Sequence, residues 1–236
     1  MRYTLFLFVL FLQLSSFAQE TIPKSGIKFG AYLGSDIAFL KNSKLNDYLD
    51  ANNFRTCLTS QFDSFLGYTI RKSNSQLSFN VYLKYSESSM FSGINDSEFT
   101  TIGGGVDMFY DIFRDSKWNI SPLVGLVKSK YKLRALSRTE TSTHSGEDFA
   151  ESLLINDSFI VNMGVQFSRT FAVSIYDIRV GVNGKYMIDV LSDTWFGDKN
   201  TETNKLPMLD LTGFAVGLDV RVEFNLNRIF GISPNL

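Results

Sequence analysis

One connection of the chain gathers the residue types from which hydrolytic triads are built. His144 is the only histidine, and four potential partners lie within four residues of it: Ser142, Ser145, Glu147 and Asp148. Such a set supplies a general base, a nucleophile and an orienting carboxylate. A histidine and a serine two apart on one strand would need serine at 146, where the chain has glycine. Because these residues crowd one polar connection rather than rigid strands, we predict no catalytic residues.

Metal chemistry has equally few candidate ligands. Zinc prefers histidine and cysteine, and His144 and Cys57 are the only residues of those types. Two acidic pairs, Asp193 with Asp198 and Glu147 with Asp148, lack the spacing of a calcium loop. We therefore predict no metal and no cofactor. The net charge of −1 also indicates no nucleic-acid partner.

Charges with a clearer meaning occur where apolar and polar residues alternate. The stretch FAVGLDVRVEF, residues 214–224, places apolar residues at every second position and puts Asp219, Arg221 and Glu223 on the opposite face. Residues 76–85 and 159–168 alternate in the same way. A period of two residues predicts β-strands, and these runs exceed the usual strand length of about five to six residues.

Together with weaker segments, these patterns predict eight strands and almost no helix. The strands are predicted at 27–39, 58–71, 76–86, 98–113, 118–132, 153–168, 174–189 and 209–225. The predicted connections alternate between short turns (71–75, 114–116, 168–170) and long polar stretches (40–57, 87–97, 133–152, 190–208). One helical segment is expected inside the first long connection, at 45–54, where Leu45, Tyr48 and Leu49 share a face. It would cap one end of the fold or contact a partner.

The first residues predict export from the cytoplasm. Arg2 precedes a short apolar run, and the segment Ser16-Phe17-Ala18 has small residues where a signal peptidase cuts. Residues 1–18 are therefore predicted to be a signal peptide, followed by one domain at 19–236. No later run approaches the ~18 apolar residues of a membrane helix. A single cysteine cannot form an internal disulfide.

Long strands joined by alternating short and long connections are typical of outer-membrane barrels. We therefore predict an all-β fold: an eight-stranded antiparallel up-and-down transmembrane β-barrel with long outer loops and short periplasmic turns. Closure would pair every backbone group, which a lipid environment requires. The alternative is a soluble periplasmic barrel or sandwich, in which the same apolar face would point inward.

In the membrane arrangement, each strand has a polar face toward the lumen and an apolar face toward lipid. The predicted lumen residues are Lys84, Asp107, Asp111, Arg179, Lys185, Asp219, Arg221 and Glu223. The predicted lipid-facing residues are Phe79, Val81, Val165, Val180, Leu218, Val220, Val222 and Phe224. A lipid-facing Lys or Arg near the midplane would cost ~2–4 kcal/mol, so reversing the faces is unfavourable. We accordingly expect Val220→Arg to impair assembly far more than Gly217→Ser.

Three further groups of residues fit this arrangement. Interface aromatics are expected at the periplasmic end (Tyr68, Tyr110, Trp118, Phe167, Phe224) and at the outer rim (Tyr85, Phe159). Glycines that give bulky neighbours room are expected at 103, 104, 105, 125, 164, 181 and 217. Basic residues near the turns either meet anionic headgroups or are ordinary turn residues: Arg71, Lys72, Arg114, Lys117 and Arg169.

The chain resembles the outer membrane protein beta-barrel domain family, of the porin-like or PorT-like kind. The likeness is carried by Ser-Phe-Ala-Gln at 16–19 and by IKFGAYLG, TIGGGVDMFYD and GFAVGLDVRVEF at 27–34, 101–111 and 213–224. The tail at 225–236 departs from barrels that end on an aromatic of the last strand. The resemblance implies a non-enzymatic outer-membrane protein, envelope-structural or surface-binding. Its partners would be outer-membrane lipids and an unknown ligand or protein at the outer loops. A narrow porin-like channel and a lipid-modifying enzyme remain alternatives.

Overall fold

The computed structural model describes nine ranges of the chain. They are residues 26–51, 60–72, 75–90, 95–113, 117–138, 149–173, 176–192, 196–197 and 209–225. The predicted signal peptide, His144 with its acidic and serine neighbours, Cys57, Arg114 and the tail after Asn225 lie outside these ranges. Nothing in the fold therefore tests those predictions.

The described chain consists of strands and one short helix. The elements are β1 (Ile27–Leu40), α1 (Ser43–Ala51), β2 (Ser60–Lys72), β3 (Leu77–Met90), β4 (Asn95–Tyr110), β5 (Trp118–Arg138), β6 (Phe149–Val173), β7 (Tyr176–Ser192), β8 (Phe196–Gly197) and β9 (Gly213–Asn225). Apart from the two-residue β8, the described strands number eight. No helix in these ranges is long and apolar enough to cross a membrane.

The eight long strands close into a barrel. Each pairs antiparallel with its neighbours in chain order, β9 pairs with β1, and the β5–β6 pairing leaves no gap in the ring. A row of paired residues that starts at Gly30 passes once round the barrel and returns to β1 at Leu40. A stagger of this size tilts the strands by about 40° from the barrel axis.

The two ends of the barrel differ. At the turn end, short connections join β2 to β3, β4 to β5 and β6 to β7, and β1 begins where β9 ends. The opposite, loop end carries α1, β8 and the longer connections. Strands β4, β5 and β6 continue past the others at this end, up to the pair Arg138↔Phe149. The barrel therefore has a taller wall on one side.

The predicted eight-stranded architecture is confirmed, whereas several predicted boundaries are wrong. Ser168–Thr170 is not a turn: β6 continues to Val173, and Arg169 pairs with Trp118 there. Much of the predicted loops 87–97 and 133–152 is also strand, because β3 to β6 extend into them. Polar residues in these segments hydrogen-bond in the ladder as readily as apolar ones. Strand β4 ends at Tyr110, before the predicted position 113.

Along the strands, apolar side chains are exposed and polar side chains are buried, which is the reverse of a soluble barrel. On β9, Arg221 is 0% exposed, whereas Leu218 is 59% exposed. Large apolar side chains on every long strand face outward, and the buried positions between them are rich in charged and amide side chains. The alternative of a soluble fold with an apolar centre is therefore wrong.

One part of the lumen is apolar, and it lies at the loop end. Leu45 and Leu49 of α1 are buried together with Leu209, Leu211 and barrel side chains such as Tyr131. The helix begins after Asn42, whose side-chain oxygen accepts a hydrogen bond from the Asp210 backbone nitrogen at 2.9 Å. The helix predicted at 45–54 is confirmed as far as Ala51 and begins at Ser43, whereas residues 52–54 lie outside the described ranges. Its apolar face packs inward.

Glycine is required where a bulky side chain leans against the opposite strand. At Gly217, an added Cβ would overlap the Asp36 carboxylate and would lie 2.6 Å from the Ser35 carbonyl oxygen. Gly217→Ser therefore carries a steric cost of its own, and its comparison with Val220→Arg stays a prediction. Gly104 faces outward, and a Cβ there would make only ordinary contacts, the nearest at 3.4 Å.

Candidate functional site

The lumen near the turn end contains a buried network of charges. Arg179 donates two hydrogen bonds to the Asp111 carboxylate, at 2.9 and 2.6 Å. Arg71 bridges Asp111 at 3.0 Å and Glu223 at 3.1 Å. Ser121 donates a further bond to Asp111 at 2.7 Å. Planar guanidinium groups match carboxylates in this two-point geometry, so the network fixes the positions of its members.

A second cluster lies at mid-height and combines ionic and aromatic contacts. The Arg221 guanidinium is 3.2 Å from Asp219, donates to the Gln166 side-chain oxygen at 2.8 Å, and lies 4.0 Å from the centre of the Phe109 ring. The Gln166 amide nitrogen donates to Asp219 in turn. Because Arg221 is fully buried, these contacts offset part of the cost of removing its charge from water.

Two lysine–aspartate pairs form the next level towards the loop end. Lys84 lies 2.7 Å from Asp63, and Lys185 pairs with Asp36. The Lys185 ammonium group also lies 4.9 Å from the centre of the Phe65 ring. The Tyr82 hydroxyl donates to Asp107 at 3.1 Å just below these pairs. Above them the lumen becomes the apolar cluster around α1.

Within the described ranges, each inward-facing cation of the lumen has a carboxylate partner. The cations are Lys28, Arg71, Lys84, Arg179, Lys185 and Arg221, and each is paired at 3.2 Å or closer. Breaking such a buried pair by removing one member typically costs ~3–5 kcal/mol, because the remaining charge is left uncompensated. The interior therefore behaves as an ionic core.

All eight predicted lumen residues lie on the inner surface, and each is at most 6% exposed. The sequence reasoning missed three of their charged partners, Asp36, Asp63 and Arg71, and one separate pair, Lys28 with Asp177. Lys28 and Asp36 both lie on the inward-facing side of β1. Assigning every second residue of this strand to the lumen would therefore have identified them. Arg71 was expected at a turn near headgroups or solvent, and this expectation is wrong: its side chain is only 12% exposed.

The predicted lipid-facing residues all lie on the outer surface. Phe79, Val81, Val165, Leu218 and Val220 are between 37% and 59% exposed. Val180, Val222 and Phe224 are half-buried against their neighbours, and Phe224 contacts the ring of Tyr176. The outer surface is therefore a continuous apolar band.

Aromatic pairs mark the turn end of this band. Trp118 stacks on Phe167 with ring centres 5.1 Å apart, and Phe29 stacks on Tyr68 at 5.4 Å. The Arg169 guanidinium lies over the Trp118 ring at 4.8 Å. Rings at this depth are a regular feature of outer-membrane-type barrels.

The remaining candidate sites receive no structural support. The residues around His144 and the acidic pairs at 147–148 and 193/198 lie outside the described ranges. Among the residues that are described, no three His, Cys, Asp or Glu side chains come close enough together to hold a metal ion.

No protein-family model matches the chain, and no curated protein sequence matches it. Several solved structures have similar folds, including the following three. Neisserial surface protein A is 16% identical, with a TM-score of 0.35 over 85% of this chain and 97% of that one. A major outer membrane protein from Thermus thermophilus is 9% identical, with a TM-score of 0.46 over 84% and 98%. The N-terminal β-barrel domain of Pseudomonas aeruginosa OprF is 10% identical, with a TM-score of 0.31 over 85% and 99%.

These likenesses concern architecture only. The description of this chain depends on its own strand pairing and burial: a closed ring, charges within and an apolar band outside. In lipid, only a helix or a closed barrel can pair all of its backbone hydrogen-bonding groups. Of these two, only the barrel has apolar and polar residues that alternate along each strand. The chain therefore has the architecture of an outer-membrane β-barrel.

Proposed function

We propose that this protein is a non-enzymatic, non-conducting barrel of the outer membrane that serves as a structural or surface-binding component of the envelope. The observation that carries the proposal is the ionic core, which occupies the lumen from the turn end to the level of Lys84 and Lys185. Side chains fill a barrel of eight strands, so the lumen has no space reserved for a solute.

The location in the outer membrane is supported by the outer surface. Burying ~25 Å of exposed apolar band in hydrocarbon is favourable, whereas exposing so large an apolar surface to water would promote aggregation. The short connections, the start of β1 and the end of β9 then lie on the periplasmic side. The loop end, with α1 and the tall wall of β4 to β6, lies on the cell surface, where it can meet ligands.

Conductance tests the absence of a channel. We expect the purified full chain, reconstituted in planar bilayers, to give no steady current at 0.15 M salt. Arg221→Ala is the comparison variant, because it removes the largest buried side chain at mid-height. Steady single-channel openings of the unaltered chain would contradict the proposal and favour the porin-like alternative.

Assembly tests the membrane-spanning part independently. Leu218→Arg places a cation in the middle of the apolar band, so we expect a loss of ~2–4 kcal/mol and much less folded protein. Ser60→Arg is the matched control, because Ser60 also faces outward but lies at the loop end of β2. Folded barrel is measured as the species whose gel mobility changes on boiling. Equal losses from the two variants would argue against a lipid-facing Leu218.

The lipid-modifying alternative has a separate test. Under the proposed function, His144→Ala leaves the lipid composition of the envelope unchanged. A change in acylation or headgroup composition in this variant, with the amount of folded barrel unaltered, would establish catalysis instead.

A further inference from the structure

The outward-facing cations of the barrel wall are concentrated on one strand. Strand β5 presents Lys128, Lys130, Lys132 and Arg134 at four successive positions of its outer face. At the loop end of β1, four strands away, the outward residues are Ile37 and Phe39. We call the four cations of β5 the basic stripe.

The stripe begins where the apolar band ends. On β5 the outward residues run from Trp118 through Ile120, Val124 and Leu126 before the first lysine. Ten residues at ~3.3 Å each, tilted by about 40°, place Lys128 roughly 25 Å above Trp118. That distance matches the height of the apolar band of such barrels. The stripe therefore rises through the headgroup layer on the loop side.

Two of the four cations have acidic partners on the adjacent strands. Lys130 lies 4.0 Å from Asp157, and Arg134 lies 3.7 Å from Glu98. No carboxylate among the residues that the structure describes pairs with Lys128 or Lys132. Within the described ranges, the stripe thus has two cations without an ion-pair partner at the level of the headgroup layer.

The residues paired directly with these two lysines on the adjacent strands are apolar or small. Lys128 lies between Gly104 of β4 and Phe159 of β6, and Lys132 lies between Thr100 and Ile155. At Gly104 the outer surface is hollow, because an added Cβ would meet little there. A ligand that fits both features carries phosphate next to acyl chains.

We propose that the basic stripe binds the phosphorylated glycolipid of the outer leaflet. Lys128 and Lys132 contact its phosphates, and the acyl chains lie on the wall beside Gly104 and Phe159. This inference depends on the proposed function only in that the loop end must face the cell surface. It goes beyond that function by naming the ligand and the side of the barrel that holds it.

Binding of bisphosphorylated lipid A to the detergent-solubilised full chain, followed by native mass spectrometry, tests the proposal. At about a fivefold contribution per cation, we expect K128Q/K132Q to weaken binding roughly 30-fold. The matched control K44Q/K72Q removes the same charge from exposed lysines elsewhere and should change binding less than threefold. K128R/K132R should bind as the unaltered chain does, because it keeps the charges.

Dephosphorylated lipid A should bind all four proteins equally and weakly. Equal losses from the two glutamine variants, or equal binding of phosphorylated and dephosphorylated lipid, would overturn the proposal. The boiling-dependent gel shift verifies that each variant is folded, and the unaltered chain should lose binding as salt rises. If the unaltered chain conducts ions but still binds phosphorylated lipid A specifically, only the proposed function is overturned. If it neither conducts ions nor binds phosphorylated lipid A specifically, only this inference is overturned.

Discussion

The two ends of the lumen are built from the same eight strands and yet have opposite chemistry. From the turn end to the level of Lys84, the inward side chains are ions held in pairs and networks. At the loop end, the inward side chains are uncharged for the most part, and an apolar group of them packs around Leu45 and Leu49 of α1. The difference indicates two ways to fill a small barrel: ionic pairing where the wall is continuous, and an apolar cap where it opens.

The cap also strengthens the ionic region beneath it. An apolar layer with buried Leu209 and Leu211 keeps water on the cell-surface side away from the lysine–aspartate pairs. Attraction between charges is stronger where water is excluded, and so is the cost of leaving one unpaired. We therefore expect changes in the ionic region to affect the whole barrel and changes in the cap to act locally.

The largest effect is expected for Arg179→Ala. It leaves Asp111 with Arg71, which Asp111 already shares with Glu223. We expect the free energy of unfolding to fall by ~3–5 kcal/mol, measured by urea unfolding in lipid vesicles. Replacing Arg179 and Asp111 together by alanine should cost less than the sum of the single losses. A loss below ~1 kcal/mol would show that water reaches this network.

Leu45→Ala should destabilise the apolar cap by a similar free energy, and the effect should be confined to the cap. A fully buried leucine typically contributes ~2–5 kcal/mol relative to alanine. We expect this loss to appear as faster amide hydrogen exchange within α1, with global unfolding in urea little changed. Asp47→Ala, an exposed position of the same helix, is the matched control. A parallel fall in global stability would mean that cap and barrel unfold as one unit.

An intermediate effect is expected for Gly217→Ala, where the wall and the ionic region touch. The added methyl group must displace the Asp36 carboxylate or the Ser35 backbone, so we expect a cost of ~1–3 kcal/mol. Gly104→Ala, on the outer face, adds the same atoms and should be near neutral. Urea unfolding of the two variants side by side measures the difference. Equal costs would indicate a general intolerance of strand positions to alanine.

The smallest effect is expected for Lys130→Ala. Its partner Asp157 is 4.0 Å away, and both side chains are about half exposed. Exposed ion pairs contribute ~0–1 kcal/mol and are screened by salt. The loss in free energy of unfolding should therefore be below ~1 kcal/mol and should vanish in 1 M salt. A loss comparable to that of Arg179→Ala would remove the distinction between the lumen and the surface.

Much of the fold could be predicted because strands of this kind repeat every two residues. The alternation at 214–224 identified β9 and separated its charged face from its apolar face, without knowledge of any partner strand. The inward direction of the charged face was predicted from strand length and from the alternation of short and long connections. The ends of β5 and β6 could not be found in this way. Their outer segments are polar on both faces, so composition indicates a loop, whereas ladder hydrogen bonds hold them as strand. The supposed turn at 168–170 failed for the same reason.

The sequence by itself determined the alternation, the number of long strands and the sign of each side chain, because these follow from residue types and a period of two. Only the tertiary structure decided which charges meet. Asp111 and Arg179 are 68 residues apart, and the stagger of the closed barrel brings them together. Likewise, the lysines of β5 are present in any conformation of the chain. Their depth relative to the membrane is set only by the tilt of the strand and by the position of the apolar band. Distances of this kind arise from closure of the whole sheet, which no single segment encodes.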